Sequence, residues 1–274
     1  MRFSLLLLFI PFFGYSQAEE PADGSKLYIT WGYNRAYYNP SDIHFQGEGF
    51  NFTLYDVHAT DIPEPFDAKV YLNPLKLTIP QFNFRLGYYI NDKVAISAGW
   101  DHMKYKLFTN QVVKIEGYIS PEASEVYGQE YPYQNIQLKP GLIQYEHSDG
   151  FNFVRLGLER YEPIWKSKKY NIEGVLFAGA SAGLMFPWTD FRFDGVRYRN
   201  WIHLSGYGFS GLLGARLEMG EHFFLQARAQ FGFSQLTDVL LQDDAKSRAQ
   251  QKIVFFERAW SLGGYIPWGR DKNK

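Results

Sequence analysis

The chain contains no cysteine in 274 residues. A disulfide-stapled fold, thiolate chemistry and a lipoprotein anchor are therefore excluded. Beyond the N-terminal segment there is also no run of eighteen apolar residues, so no helix can cross roughly 30 Å of hydrocarbon. Charge is nearly balanced, with a net value of −1 and no basic run, which leaves no long-range field to recruit nucleic acid. Histidine is scarce, with six residues in all, so any imidazole chemistry has few places to sit.

What the chain has in quantity is aromatic side chains, 19% of its residues, including 20 Tyr, 24 Phe and 7 Trp. Tyr and Trp suit a membrane–water interface, where one edge of the ring is wet and the rest is apolar. At the front, Arg2 precedes the apolar stretch Leu5 to Phe13 and then Gly14-Tyr15-Ser16-Gln17-Ala18. This is the layout of a secretory signal cleaved after Ser16 or Ala18, which assigns residues 1–18 to a signal peptide and 19–274 to one mature domain.

Residues 223–235 show the organising pattern. Phe223, Leu225, Ala227, Ala229, Phe231 and Phe233 share one parity, while Gln226, Arg228, Gln230, Gly232 and Ser234 share the other. A period of two marks a strand with one apolar face. The same alternation predicts eight spanning strands near 27–37, 80–90, 94–106, 151–161, 170–186, 203–218, 223–236 and 252–266. Their connections alternate in length. Those at 91–93, 162–169 and 219–222 are short, whereas those at about 39–79, 107–150, 187–202 and 237–251 are long. Short periplasmic turns and long extracellular loops are the asymmetry of an outer-membrane barrel. The expected fold is thus an all-β, antiparallel up-and-down transmembrane barrel. Further β segments at 50–59, 111–119 and 134–143 read as hairpins extending above the membrane, with ten strands as the alternative count.

Collected by parity, Arg85, Arg155, Arg216 and Arg228 face the lumen with Asp101, Glu159, Glu173, Glu218 and Glu257. Buried charges must be paired, so this set predicts an ion-pair network plugging a narrow barrel rather than a charged channel. Histidines accompany carboxylates in the long connections: Asp42 with His44, Asp56 and Asp61 around His58, Asp101 beside His102, and Glu146-His147-Ser148-Asp149. Such groups suit a divalent metal held by imidazole and carboxylate, or a hydrolytic site in which His102 or His147 activates Ser148. The competing reading is that Asp and His satisfy exposed backbone at strand ends, and Ser148-Asp149-Gly150 has the composition of a turn. No cofactor is required by the sequence, a divalent metal being the one candidate. His203 and His222 read as satisfied polar residues. Arg192, Arg197 and Arg199, interleaved with Trp188, Phe191, Phe193, Tyr198 and Trp201, suit either lipopolysaccharide phosphates or an interfacial aromatic collar.

The stretch Gly87-Tyr88-Tyr89-Ile90-Asn91-Asp92-Lys93-Val94-Ala95-Ile96-Ser97-Ala98-Gly99, two alternating strands about a three-residue turn, resembles the small monomeric outer-membrane β-barrels of Gram-negative envelopes. The resemblance extends in architecture over most of the mature chain. It implies an integral outer-membrane location, contact with membrane lipids and lipopolysaccharide, and function at the extracellular face. Proteins of this shape include structural barrels, small-ligand carriers, adhesins, and lipid A deacylases or palmitoyltransferases; no catalytic motif of those enzymes aligns residue by residue. A plugged structural barrel that binds an extracellular ligand or envelope protein is the leading expectation. The alternative is an outer-leaflet hydrolase or acyltransferase acting on lipid or lipopolysaccharide through His58, His102, His147, Asp56, Asp61 and Asp149.

Overall fold

The computed structural model describes residues 26–71, 73, 76, 79–198, 200–243 and 246–267. The signal segment, Arg199 and Asp244 lie outside the described residues. In chain order the elements are β1 (Lys26–Tyr38), β2 (Ser41–Gly47), β3 (Phe50–Val57), β4 (Ala59–Thr60), the single-turn helix α1 (Ala68–Tyr71), β5 (Phe82–Tyr89), β6 (Val94–Leu107), β7 (Val112–Ile119), β8 (Gln129–Gln137), β9 (Ile143–Ser167), β10 (Ile172–Pro187), β11 (Asp190–Phe193), β12 (Val196–Tyr198), β13 (Gly206–Met219), β14 (Phe223–Leu240) and β15 (Arg248–Pro267).

Eight of these strands form a ring in the order β1-β5-β6-β9-β10-β13-β14-β15, closed by antiparallel pairing of β15 with β1 from Lys26↔Pro267 to Tyr38↔Phe255. Closure leaves the cylinder no free edge. The eight-strand reading therefore holds, and the ten-strand alternative does not. The hairpins β5–β6, β9–β10 and β13–β14 turn at the end where β1 starts and β15 finishes, and the long connections leave from the other. We call these the turn end and the loop end.

The structure corrects the boundaries at several places. Residues 162–167 are not part of a turn, because β9 runs on to Ser167 and takes Pro163 into the wall where its register with β10 shifts at Gly174/Val175. A bulge is where a strand tolerates proline, since no ladder N–H is required there. The predicted segment 134–143 lies earlier, as β8, whose register with β7 shifts between Ile115 and Gly117, where Tyr133 has φ 53°. Within 187–202, β11 and β12 form a hairpin instead of a loop.

Two wall strands recruit further strands at the loop end. The start of β15 pairs with β2 through Arg248↔Gln46 to Gln251↔Ile43, and β2, β3, β7 and β8 continue as a second antiparallel layer. The start of β9 pairs with β11 through Ile143↔Phe193 to Glu146↔Asp190. One face of this extension packs on an apolar cluster that continues down into the barrel, including Phe45, Phe52, Tyr145, Phe191, Phe151, Phe153 and Phe255. Its aromatic rings meet edge-on or offset, as Phe45 does with Tyr145 at 5.3 Å and 90°.

Inside the ring, small residues are matched to large ones across the ladder. Tyr28 lies directly opposite Gly87, Phe177 opposite Gly214, Phe255 opposite Gly232, and Phe224 opposite Gly263. In all four pairs a Cβ on the glycine would overlap the facing ring. Each glycine is therefore the space its partner's ring occupies. Gly87→Val is expected to displace Tyr28 and destabilise the barrel by about 1–3 kcal/mol; urea unfolding of refolded protein, followed by tryptophan fluorescence, reads the shift, and an unchanged midpoint contradicts it.

Candidate functional site

Three layers fill the barrel from the turn end upward. The lowest is centred on Arg216, whose guanidinium donates to Tyr89 Oη at 2.9 Å, Tyr265 Oη at 3.0 Å, Tyr161 Oη at 3.1 Å and Gln226 Oε1 at 3.0 Å. The Phe224 and Tyr161 rings lie 3.8 and 4.4 Å from its central carbon, a cation–π enclosure that replaces much of the lost hydration. Glu218 is 3.6 Å away.

The middle layer sets three guanidiniums against three carboxylates. Arg85 pairs with Glu159, which also accepts from Tyr28 at 2.8 Å and Tyr161 at 2.6 Å. Arg155 donates through Nε to Asp101 at 2.7 Å; Arg228 bridges Asp101 at 2.6 Å and Glu257 at 3.1 Å. Gln230 donates to both of those carboxylates at 3.2 and 3.0 Å. All six charged groups are buried, and Asp101 is shared between two of the cations. Glu173 is not among them. It has the inward parity but sits at the turn end, a quarter exposed, paired with Lys166 at 3.1 Å.

Above this belt lies the apolar cluster that runs into the extension. The wall beside it is irregular, because β5 begins at Phe82 and pairs with β1 only up to Tyr33. Side chains complete the gap: Asn34 Nδ2 donates to the Phe82 carbonyl at 2.8 Å, Tyr38 Oη to the Lys104 carbonyl at 2.6 Å, and Arg35 Nη1 to Gln81 Oε1 at 3.1 Å. Asp61 accepts weakly from the Ala36 amide at 3.4 Å, and burial pushes its carboxyl above the usual carboxylate range.

The histidines and carboxylates that the sequence pairs in the long connections are distributed over separate faces. Asp101 points into the ionic belt and His102, next in sequence, to the opposite side of the wall, as strand alternation requires. His102 is buried, stacked on Phe82 at 4.9 Å, with Nδ1 2.7 Å from Asn152 Oδ1. His147 is enclosed in the apolar cluster against Phe151 at 5.5 Å, with Nδ1 3.0 Å from Thr189 Oγ1. Burial alone pulls its pKa down to about 3. Ser148 and Asp149 leave that cluster, the first half-buried and the second exposed. His44 is on β2 beside Thr53 Oγ1 at 3.0 Å. Asp56 is an exposed residue at φ 55° whose amide donates to Asp42, and His58 is exposed, with its backbone held by Gln111. Among the described residues no group of three or more His, Cys, Asp or Glu side chains is placed to hold a metal ion. The arginines of 187–202 are also engaged, Arg192 and Arg197 both turning to Asp190 at 3.6 and 2.8 Å.

No family model and no curated protein matches the sequence. Solved structures that do match include the outer membrane protein AlkL, 10% identical with a TM-score of 0.44 over 94% of this chain and 98% of that one. OprG from Pseudomonas aeruginosa is 11% identical with a TM-score of 0.37, over 89% and 98%. Ail, the attachment invasion locus protein of Yersinia pestis, is 11% identical with a TM-score of 0.31, over 89% and 99%.

Replacing Asp101 with Asn leaves Arg155 and Arg228 short of a counter-charge. The expected loss is about 3–5 kcal/mol of stability, read as an earlier urea midpoint; no change would mean the belt is not electrostatically tight. His147 gives a pH signature. Its folded pKa is depressed, so the unfolded chain binds the extra proton and its contribution, complete above about pH 6.5, is lost as pH falls toward 3, by up to about 1.4 kcal/mol per unit. His147→Phe should flatten the pH dependence of thermal unfolding in that window, and an identical slope in both proteins would refute this.

Proposed function

We propose that the chain is an integral barrel of a Gram-negative outer membrane, closed to diffusion along its axis, which holds its loop-end β extension outside the cell as a binding platform. The observation that carries this is the pairing of a greasy exterior with a filled interior. Large apolar side chains stand exposed on every strand of the ring: Ile29, Leu86, Ile96, Leu156, Leu176, Leu213, Phe231 and Leu262, with Leu156 at 71% and Phe231 at 68%. Such a belt is unfavourable in water and at home in acyl chains. Within, the Arg216 enclosure, the ionic belt and the apolar cluster lie in series along the axis, and eight strands leave little more room than side chains fill.

Membrane lipids and lipopolysaccharide are then the lateral neighbours, and the turn end with its short hairpins faces the periplasm. The platform reading rests on the outer face of β2, β3, β7 and β8. Tyr118 and Tyr133 are exposed there, Tyr55 packs on Tyr133 at 5.3 Å and donates to Glu116, and Lys114 lies over Tyr133 at 5.5 Å. Rigid tyrosines with adjacent charges are the composition of a recognition surface. The outermost strand β8 carries Pro132 next to its centre, which discourages indiscriminate strand addition. The hydrolase or acyltransferase alternative receives no such support, because its residues His58, His102, His147, Asp56, Asp61 and Asp149 occupy different faces.

The protein should fractionate with the outer membrane, migrate faster on gels unheated than boiled, and give no conductance steps in planar bilayers. Discrete steps from the purified wild type would overturn the closed-lumen reading while leaving the barrel intact.

A further inference from the structure

Eight of the ten arginines among the described residues make an ion pair with a carboxylate. The two that do not, Arg35 and Arg258, are register partners, directly opposite each other on β1 and β15. Both have outward parity, Arg258 exposed and Arg35 half-buried. Like charges facing across a ladder repel, and here they do so on the outward, apolar side of the wall. Arg35 is held by Gln81 Oε1 at 3.1 Å and lies near enough to Asp61 to affect it through space. Arg258 is flanked by the rings of Tyr37 at 5.4 Å and Trp260 at 5.7 Å. Arg258 is thus steadied by aromatic faces, and Arg35 by Gln81 with Asp61 acting on it from beyond ion-pair distance.

Immediately toward the turn end lies an apolar groove of about 950 Å³, lined by two successive rows of the ladder. The first is Ala215-Ala227-Trp260-Tyr33 and the second Leu217-Leu225-Leu262-Trp31. The alanines form a shallow floor between bulky neighbours. Tyr71, at the end of α1, packs on Tyr33 at 4.8 Å and joins the lining, so a segment of the first long loop folds down over the outside of the wall. At about 2.5 Å of axial rise per tilted residue, Arg35 stands about 20 Å above Leu27, near the upper edge of an apolar band about 25 Å tall.

We infer that this strip is a binding site for one phosphorylated glycolipid of the outer leaflet, of the lipid A type, with a phosphate between Arg35 and Arg258 and acyl chain in the groove below. The inference rests on the outer-membrane reading above. Charge complementarity supplies the direction: two facing guanidiniums, neither in an ion pair and with Asp61 acting on Arg35 only from a distance, call for an anion at headgroup height, planar forks suit phosphate oxygens, and a groove continuous with them suits the chains of the same molecule. Arg192 and Arg197, also near the loop end, already share Asp190.

The test uses the full mature chain refolded in detergent, titrated with diphosphorylated lipid A, its dephosphorylated form, or phosphatidylglycerol, with binding read by native mass spectrometry. Wild type should prefer the diphosphorylated form about tenfold over the dephosphorylated one, and over phosphatidylglycerol. The R35Q/R258Q protein should bind both glycolipids alike, while A227W, which fills the groove floor, should weaken both together. If the double variant fails to refold, R258Q alone should reduce the preference. An unaltered preference in the arginine variants would overturn the proposal, as would phosphatidylglycerol binding as tightly as lipid A. Heat-modifiable migration in the same samples reports separately on the barrel, so a failed site and a failed membrane assignment give different results.

Discussion

The ladder between β1 and β15 is the constraint on which the other features depend. It joins the two ends of the sheet over the whole length of β1, from Lys26 to Tyr38, and leaves the ring without an edge. Backbone groups in hydrocarbon have no water to bond, so only a closed sheet satisfies them. Closure also divides every strand into one face for the surroundings and one for the axis. The outer face is then free to be apolar, and the inner face must accommodate whatever the alternating positions carry.

With eight strands, accommodation means fitting volumes and charges together. Rings face glycines across the ladder, Arg216 is enclosed by phenols and phenyls, and Asp101 serves two guanidiniums at once. A buried ion pair adds little net stability over a well-packed apolar pair, but removing one member is severe. The belt therefore acts chiefly to make one arrangement of the interior acceptable.

Much of this was legible in alternation alone. A period of two along Phe223 to Gln235 identifies the strand, its faces and its inward Arg228, and repetition of the pattern yields the count of eight. Loop-end geometry was less readable, because local sequence does not say what folds over a strand. His102 has the same parity as Trp100, yet Phe82 and Asn152 bury it. His147 looks like a rim residue in sequence, and the long start of β9 carries it into an apolar core. The site residues that were missed, Arg35 and Arg258, are ordinary in sequence and far apart in the chain. Only the β1–β15 register makes them neighbours, and only the pairing of the other arginines makes them conspicuous.

The continuity of β9 and β15 has a mechanical consequence. Each runs unbroken from the turn end into the extension, over residues Ile143–Ser167 and Arg248–Pro267. No flexible tether stands between the exposed tyrosine face and the cylinder. Tension applied to that face would load long antiparallel ladders in shear, where many hydrogen bonds resist together instead of unzipping one by one. A contact made there would be borne by the whole wall.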